Sequence, residues 1–176
     1  TLFDTAPLYG GGLSEHRIGT ALRRRPRASY VLSTKVGRVY APAPAGVRDC
    51  GGYVGGLPFE GRFDYSRDGC LRSLEQSLLR LGMASVDIAL VHDLDPWAHG
   101  DALDAAIRDV LDGAWRALAE LRAQGVVRAS GEAGVRGAVV ISAWFRETGA
   151  AGAALEARVR DEARRFDGLR VLGPNC

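Results

Sequence analysis

The sequence predicts an α/β fold built on a parallel sheet, and three observations carry that prediction. Strand-like runs alternate with helical stretches from Thr1 to about Arg128. The run from Val86 to Val91 is nearly all apolar, as expected of a strand covered on both faces. Three strand-like runs finish on an ionisable residue, Asp4, Lys35 and His92. Open and closed α/β sheets keep their chemistry at such carboxyl ends.

In chain order, Leu2 to Asp4 reads as the end of a strand, and Tyr9 follows in the loop that leaves it. Ser14 suits an N-cap and Glu15 adds favourable charge to the first turn. The helix they open runs to about Arg24, with Ile18, Ala21 and Leu22 inward, and Arg25-Pro26 stops it. Tyr30 to Val36 is β-branched and aromatic, hence a strand. Residues 37 to 65 are loop-like, and a loop that long is expected to be functional, folding over the end that carries Lys35. Ser66 or Asp68 caps the next helix, whose buried stripe is Leu71, Leu74, Leu78 and Leu81, and Gly82 ends it. Asp93 to Gly100 is loop. A helix from Asp101 to Gln124 turns Ile107, Leu111, Trp115, Leu118 and Leu121 to one side, and a further strand begins at Val126. Past Ser130 the composition becomes Ala/Gly/Arg-rich. Strands are expected at Gly137 to Ser142 and Leu169 to Leu172, with a helix from Ala151 to Phe166 between them. A boundary is set at about 128 to 134.

The 176 residues and a net charge of +2 allow a real core and offer no argument for nucleic acid or an acidic membrane surface. The length is short for a complete eight-stranded α/β barrel of about 250 residues. Arg23-Arg24-Arg25 sits at a helix end, where it complements the helix dipole. Cys50, Cys70 and Cys176 suggest neither a disulfide framework nor a metal site, which fits a reducing cytoplasm. Neither a signal peptide nor a membrane span is visible. Thr1 is not a Met and the chain opens inside a strand-like run, so it reads as cut at both ends. The GGYVGG stretch at Gly51 lacks the Lys-Ser/Thr of a phosphate loop and reads as a plain loop.

Asp4, Tyr9, Lys35 and His92 form the candidate site. Taken singly each has an ordinary explanation: a loop cap, a packed aromatic, a strand lysine, a core histidine. Their placement at successive strand ends is harder to explain that way. A phenol ordinarily titrates near pH ~10, and a neighbouring ammonium favours its deprotonated form. An aspartate can keep that ammonium charged and aimed, and a histidine can orient a substrate oxygen. Such a set would move a proton at an oxygen while hydride moves at the adjacent carbon. The hydride requires a nicotinamide, because no side chain supplies one.

The stretches FDTAPLYGGGLSEHRIG, VLSTKVGR, GGLPF with FDYSRDGCLRSLEQSLLRLG, and VDIALVHDLD resemble the aldo-keto reductase family. Within it they are most similar to the branch of sugar and pyridoxal dehydrogenases. The resemblance covers residues 1 to 128. It implies a partial (β/α)8 TIM barrel of about four strands. It also implies a catalytic tetrad of Asp4, Tyr9, Lys35 and His92, which would form the nicotinamide side of an NADP or NAD site, and a small carbonyl or sugar substrate. Activity of this chain is expected to be weak or absent, because most of the family's cofactor site has no counterpart here. Residues 131 to 176, with VVISAWFRETG and LRVLGPNC, resemble the CoA-binding region of NDP-forming acyl-CoA synthetases. That implies a Rossmann-like strand–helix–strand unit, with Pro174 and Asn175 near a ligand. Its strands would extend the first sheet or dock loosely on it.

Overall fold

In the computed structural model, residues 1–44, 55–128, 137–139, 157, 161 and 170–172 are described. Strands β1 (Leu2–Asp4), β2 (Val31–Val36) and β5 (Ile88–Val91) form one parallel sheet in the order β1-β2-β5. The expected fourth strand is represented by a single parallel bridge, Val86 to Val127. Helix α1 (Leu13–Leu22) connects β1 to β2, and α2 (Arg67–Leu81) precedes β5. The alternation therefore builds a parallel sheet with α1 and α2 packed against it, the layering of part of an α/β barrel.

Leu32, Val36 and Val86 on the sheet side meet Leu74 and Leu81 of α2 in the core. Ser66 caps α2 by accepting from Gly69 N at 3.0 Å, and Gly82 at φ 64 ends it. Ser14 does not cap α1. That position belongs to Gly12, and the Ser14 hydroxyl is bonded to Thr5 Oγ1 at 2.8 Å. Strand β5 is half-buried along its whole length rather than covered on both faces. The long helix after it is segmented: α3 (Pro96–His99), then α4 (Leu103–Asp109), a wide π turn at Val110–Ala114, and α5 (Trp115–Ala123). In that turn a Cβ on Gly113 would lie 2.6 Å from the Tyr65 carbonyl, so close packing holds the widened backbone.

Residues 37 to 65 are not simply a loop. Within them β3 (Arg38–Pro42) and β4 (Phe59–Phe63) pair antiparallel. The described part of the hairpin packs along α2, and its Arg38 end reaches Asp93 beside His92 at the rim. Ser73 Oγ donates to Arg38 O at 2.8 Å, and Gln76 accepts from Tyr40 N and donates to Tyr40 O. Strands β6 (Gly137–Val139) and β7 (Arg170–Leu172) pair in parallel in a sheet of their own, and Ala157 and Asp161 between them are helical. Most of the GGYVGG stretch, together with Pro174 and Asn175, lies outside the described residues. No helix among the described residues is long and apolar enough to cross a membrane.

Helices α1 and α2 meet at backbone distance. A Cβ on Gly19 would lie 2.1 Å from the Leu81 carbonyl oxygen. Gly19→Ala must push the helices apart, and a loss near the top of the roughly 1–3 kcal/mol range for overpacking is expected. Urea denaturation of the variant checks this, and an unchanged midpoint would contradict the close crossing.

Candidate active site

The carboxyl ends of β1, β2 and β5 lie side by side, and each delivers one ionisable group. β1 and β2 run in register with Asp4 opposite Ser33. Lys35 Nζ therefore reaches across to donate to Asp4 Oδ2 at 2.8 Å and to Thr5 O at 3.0 Å. Thr34 turns to the other face, as strand alternation requires, and its hydroxyl donates to buried Glu15. The Lys35 side chain is 13% exposed and that of Asp4 46%, so the pair opens to solvent on the carboxylate side.

Tyr9 is brought in by the turn that leaves β1. Tyr9 N donates to Ala6 O, and Gly10, Gly11 and Gly12 follow at φ 66, 59 and 95. Three left-handed residues in succession reverse the chain sharply, a conformation that favours glycine. The turn sets the Tyr9 ring beside Lys35, whose Nζ is 4.8 Å from the ring centroid. His92 continues β5, its amide donating to Val36 O at 3.0 Å. Its imidazole is buried and stands edge-on to Tyr9, ring centroids 6.0 Å apart. The structure thus brings Asp4, Tyr9, Lys35 and His92 together at one rim.

A second set of groups surrounds His92 that the sequence did not single out. The buried Tyr65 hydroxyl donates to His92 O at 2.6 Å and lies 3.0 Å from His99 Nε2. Burial, reinforced by Asp93, holds the Tyr65 phenol above its ordinary range. Arg38 donates twice to Asp93 Oδ2, at 2.7 and 3.2 Å, and stacks on Phe63. Tyr65 and Arg38 come from distant parts of the chain, and no local pattern announces them.

Burial lowers the His92 pKa from 6.5 to about 4, with Arg38 and Lys35 adding to the drop and Asp93 opposing it. His92 is thus neutral near pH 7. The unfolded chain takes up this proton near 6.5 and the folded chain only near 4. Its contribution is therefore complete above about pH 6.5 and is lost as pH falls towards about 4, amounting to roughly 3 kcal/mol. Urea midpoints across that window are expected to fall faster for the parent chain than for His92→Gln. Parallel slopes would contradict the shift.

A phenol flanked by an ammonium and a neutral imidazole can pass a proton to or from an oxygen placed between them. The sequence pattern of the Aldo/keto reductase family matches residues 1–149, running past the boundary expected near Arg128. The chain is 40% identical over 139 residues to pyridoxal 4-dehydrogenase of Microbacterium luteolum, covering 73% of this chain and 40% of that protein. It is 38% identical over 133 residues to D-threo-aldose 1-dehydrogenase of a Pseudomonas species, covering 73% and 38%. It thus spans about 40% of the length of these curated relatives. A separate similarity, 48% identity over 50 residues, covers 28% of this chain and 7% of the ADP-forming acetate–CoA ligase I of Archaeoglobus fulgidus. Among solved structures, the holo form of an aldo-keto reductase from Bacillus halodurans superposes with a TM-score of 0.51 at 29% identity, covering 72% of this chain and 34% of that one. With a pattern match over most of its length and a fold like that of a solved member, this chain belongs to the aldo/keto reductase family.

Proposed function

We propose that the chain carries the reaction centre of an NAD(P)-dependent oxidoreductase that interconverts a carbonyl and an alcohol on a sugar or aldehyde. One observation supports this reading most: Lys35 Nζ is bonded to Asp4 and lies over the Tyr9 ring. Tyr9 is the general acid and base. Its hydroxyl gives a proton to the carbonyl oxygen in reduction and takes one from the alcohol in oxidation. Lys35 holds positive charge beside the phenol as that proton leaves, and Asp4 keeps the ammonium aimed. His92, neutral and buried, hydrogen-bonds the same oxygen and orients it. The half-exposed Asp4 carboxylate, neutralised by Lys35, with a phenol and an imidazole beside it, fits the nicotinamide side of NADP or NAD. When bound, the nicotinamide supplies the hydride exchange. Turnover by this chain alone is weak, and a reducing cytoplasm is its setting.

The test assays the chain at high concentration with NAD or NADP and pyridoxal or L-fucose, beside Tyr9→Phe. Turnover lost in Tyr9→Phe supports the reading, and turnover that survives overturns it. A chain silent on its own is read in a second arm, where residues 1–128 replace the matching segment of the Microbacterium luteolum enzyme. A folded, cofactor-binding chimera that is inactive with Tyr9 in place overturns the reading.

The similarity to an acetate–CoA ligase favours a second reading for the C-terminal part. In it, residues 129–176 form a CoA-binding unit joined to the reductase-like residues 1–128. Calorimetry of CoA against the whole chain tests it: saturable heat supports the unit, and its absence removes it.

A further inference from the structure

The backbone just after His92 is unusual. Asp93 has φ 50, and among the described residues it is the non-glycine residue with positive φ. A left-handed aspartate is tolerated but uncommon, and here its carboxylate is held by Arg38 and stands beside His92. Oδ2 accepts both bonds from Arg38, at 2.7 and 3.2 Å. Oδ1 lies 3.4 Å from His92 Nε2. The guanidinium is in turn fixed over the Phe63 ring, 4.0 Å from its centroid. Tyr65 pins the same turn from behind, its hydroxyl donating to His92 O at 2.6 Å and Asp93 O at 3.3 Å.

The two nitrogens of the imidazole meet different surroundings. Nδ1 is buried with no hydrogen-bond partner among the described residues. Nε2 stands 3.4 Å from the Asp93 carboxylate, whose negative charge favours the single proton of the neutral ring on that nitrogen. The other charged or titratable groups acting on His92 are Asp4 from β1, Lys35 from β2 and Arg38 from β3. The Tyr9 ring faces it edge-on. Of these, Asp93 is the acid whose oxygen faces a ring nitrogen directly.

We propose that Arg38 and Asp93 form a positioning pair for His92, in which the carboxylate, held by the guanidinium in a left-handed turn, fixes the imidazole as its Nε2–H tautomer. This rests on the proposed function for its purpose: an N–H at Nε2 is what a substrate oxygen needs as a donor. The physical claim stands apart from turnover. Neither residue touches the reacting atoms, and both act through His92.

The test is ¹⁵N NMR of the imidazoles in the intact chain, which has 3 histidines. His92 is assigned by the loss of its signals in His92→Gln. At neutral pH the parent chain is expected to show the proton on Nε2. Asp93→Gly, which suits the left-handed backbone, is expected to move the ring to a mixed tautomer. Arg38→Met is expected to move it part of the way, and Arg38→Lys to restore it. The titration midpoint of His92 supplies signs that a merely loosened site cannot imitate. Loss of the carboxylate in Asp93→Gly lowers the midpoint by about one pH unit, and loss of the cation in Arg38→Met raises it by a similar amount. Should Asp93→Gly not fold, Asp93→Asn removes the same charge, keeps a side chain suited to a left-handed position, and is expected to lower the midpoint likewise. An unchanged tautomer in Asp93→Gly, or midpoints that rise in the Asp93 and Arg38 variants alike, overturns the pairing. Because this readout needs no turnover, it separates the two claims. Turnover insensitive to Tyr9→Phe removes the proposed function and leaves the tautomer result standing. A tautomer insensitive to Asp93 removes the pairing and leaves the function standing.

Discussion

Tyr9→Phe is expected to lower kcat by about 10²- to 10⁴-fold, in the active chain or in the chimera, with little change in KM. The substitution removes one oxygen and keeps the ring. The edge contact with His92 and the position under Lys35 are both properties of that ring. Substrate and cofactor should therefore bind much as before, while the proton has no hydroxyl to leave from or return to. The loss corresponds to roughly 3–5 kcal/mol of barrier. Steady-state kinetics check the prediction. A rise in KM at constant kcat would mean that Tyr9 only binds substrate, and the assignment of Tyr9 as acid and base would fail.

Glu15→Ala is expected to destabilise the fold by about 3–5 kcal/mol, the range for breaking a buried ion pair from one side. Glu15 is fully buried. One oxygen accepts from Thr34 Oγ1 at 2.6 Å and the other from Arg80 Nε at 2.6 Å. The carboxylate thus ties α1 to β2 and α2 immediately behind Lys35. Alanine would leave the Arg80 guanidinium, whose side chain is 13% exposed, without its counter-charge, and the Thr34 hydroxyl without its acceptor. Glu15→Gln keeps the shape and should lose less. The double variant Glu15→Ala with Arg80→Ala should lose less than the sum of the two single ones, because it strands no charge. Urea denaturation of the set decides, and additive losses would show that the two side chains are not coupled.

The contrast between these two residues shows what could be read from the sequence. Asp4, Lys35 and His92 were legible because each closes a short run whose strand character is local, and Tyr9 because it follows one of them by a few residues. Ser66 and Gly82 were legible for the same reason, since a cap is a property of a few neighbouring residues. Glu15 was seen only as charge in a first helical turn, because its partner Arg80 is 65 positions away. The Arg38–Asp93 pair, 55 positions apart, was hidden likewise. The β3–β4 hairpin was missed because prolines, glycine and charged residues dilute its alternation. Its strands are completed by each other and by Gln76 and Ser73 of α2, none of which a local window contains.

The turn that carries Tyr9 also has a consequence for chirality. At Gly10, Gly11 and Gly12 the chain winds in the sense that L-residues avoid, at roughly 1–2 kcal/mol for each side chain of natural hand. Three adjoining sites are thereby closed to ordinary amino-acid exchange. Their backbone angles are those preferred by D-residues, so a chemically assembled chain carrying D-alanine at Gly10 should keep the phenol where it is, and one carrying L-alanine there should not.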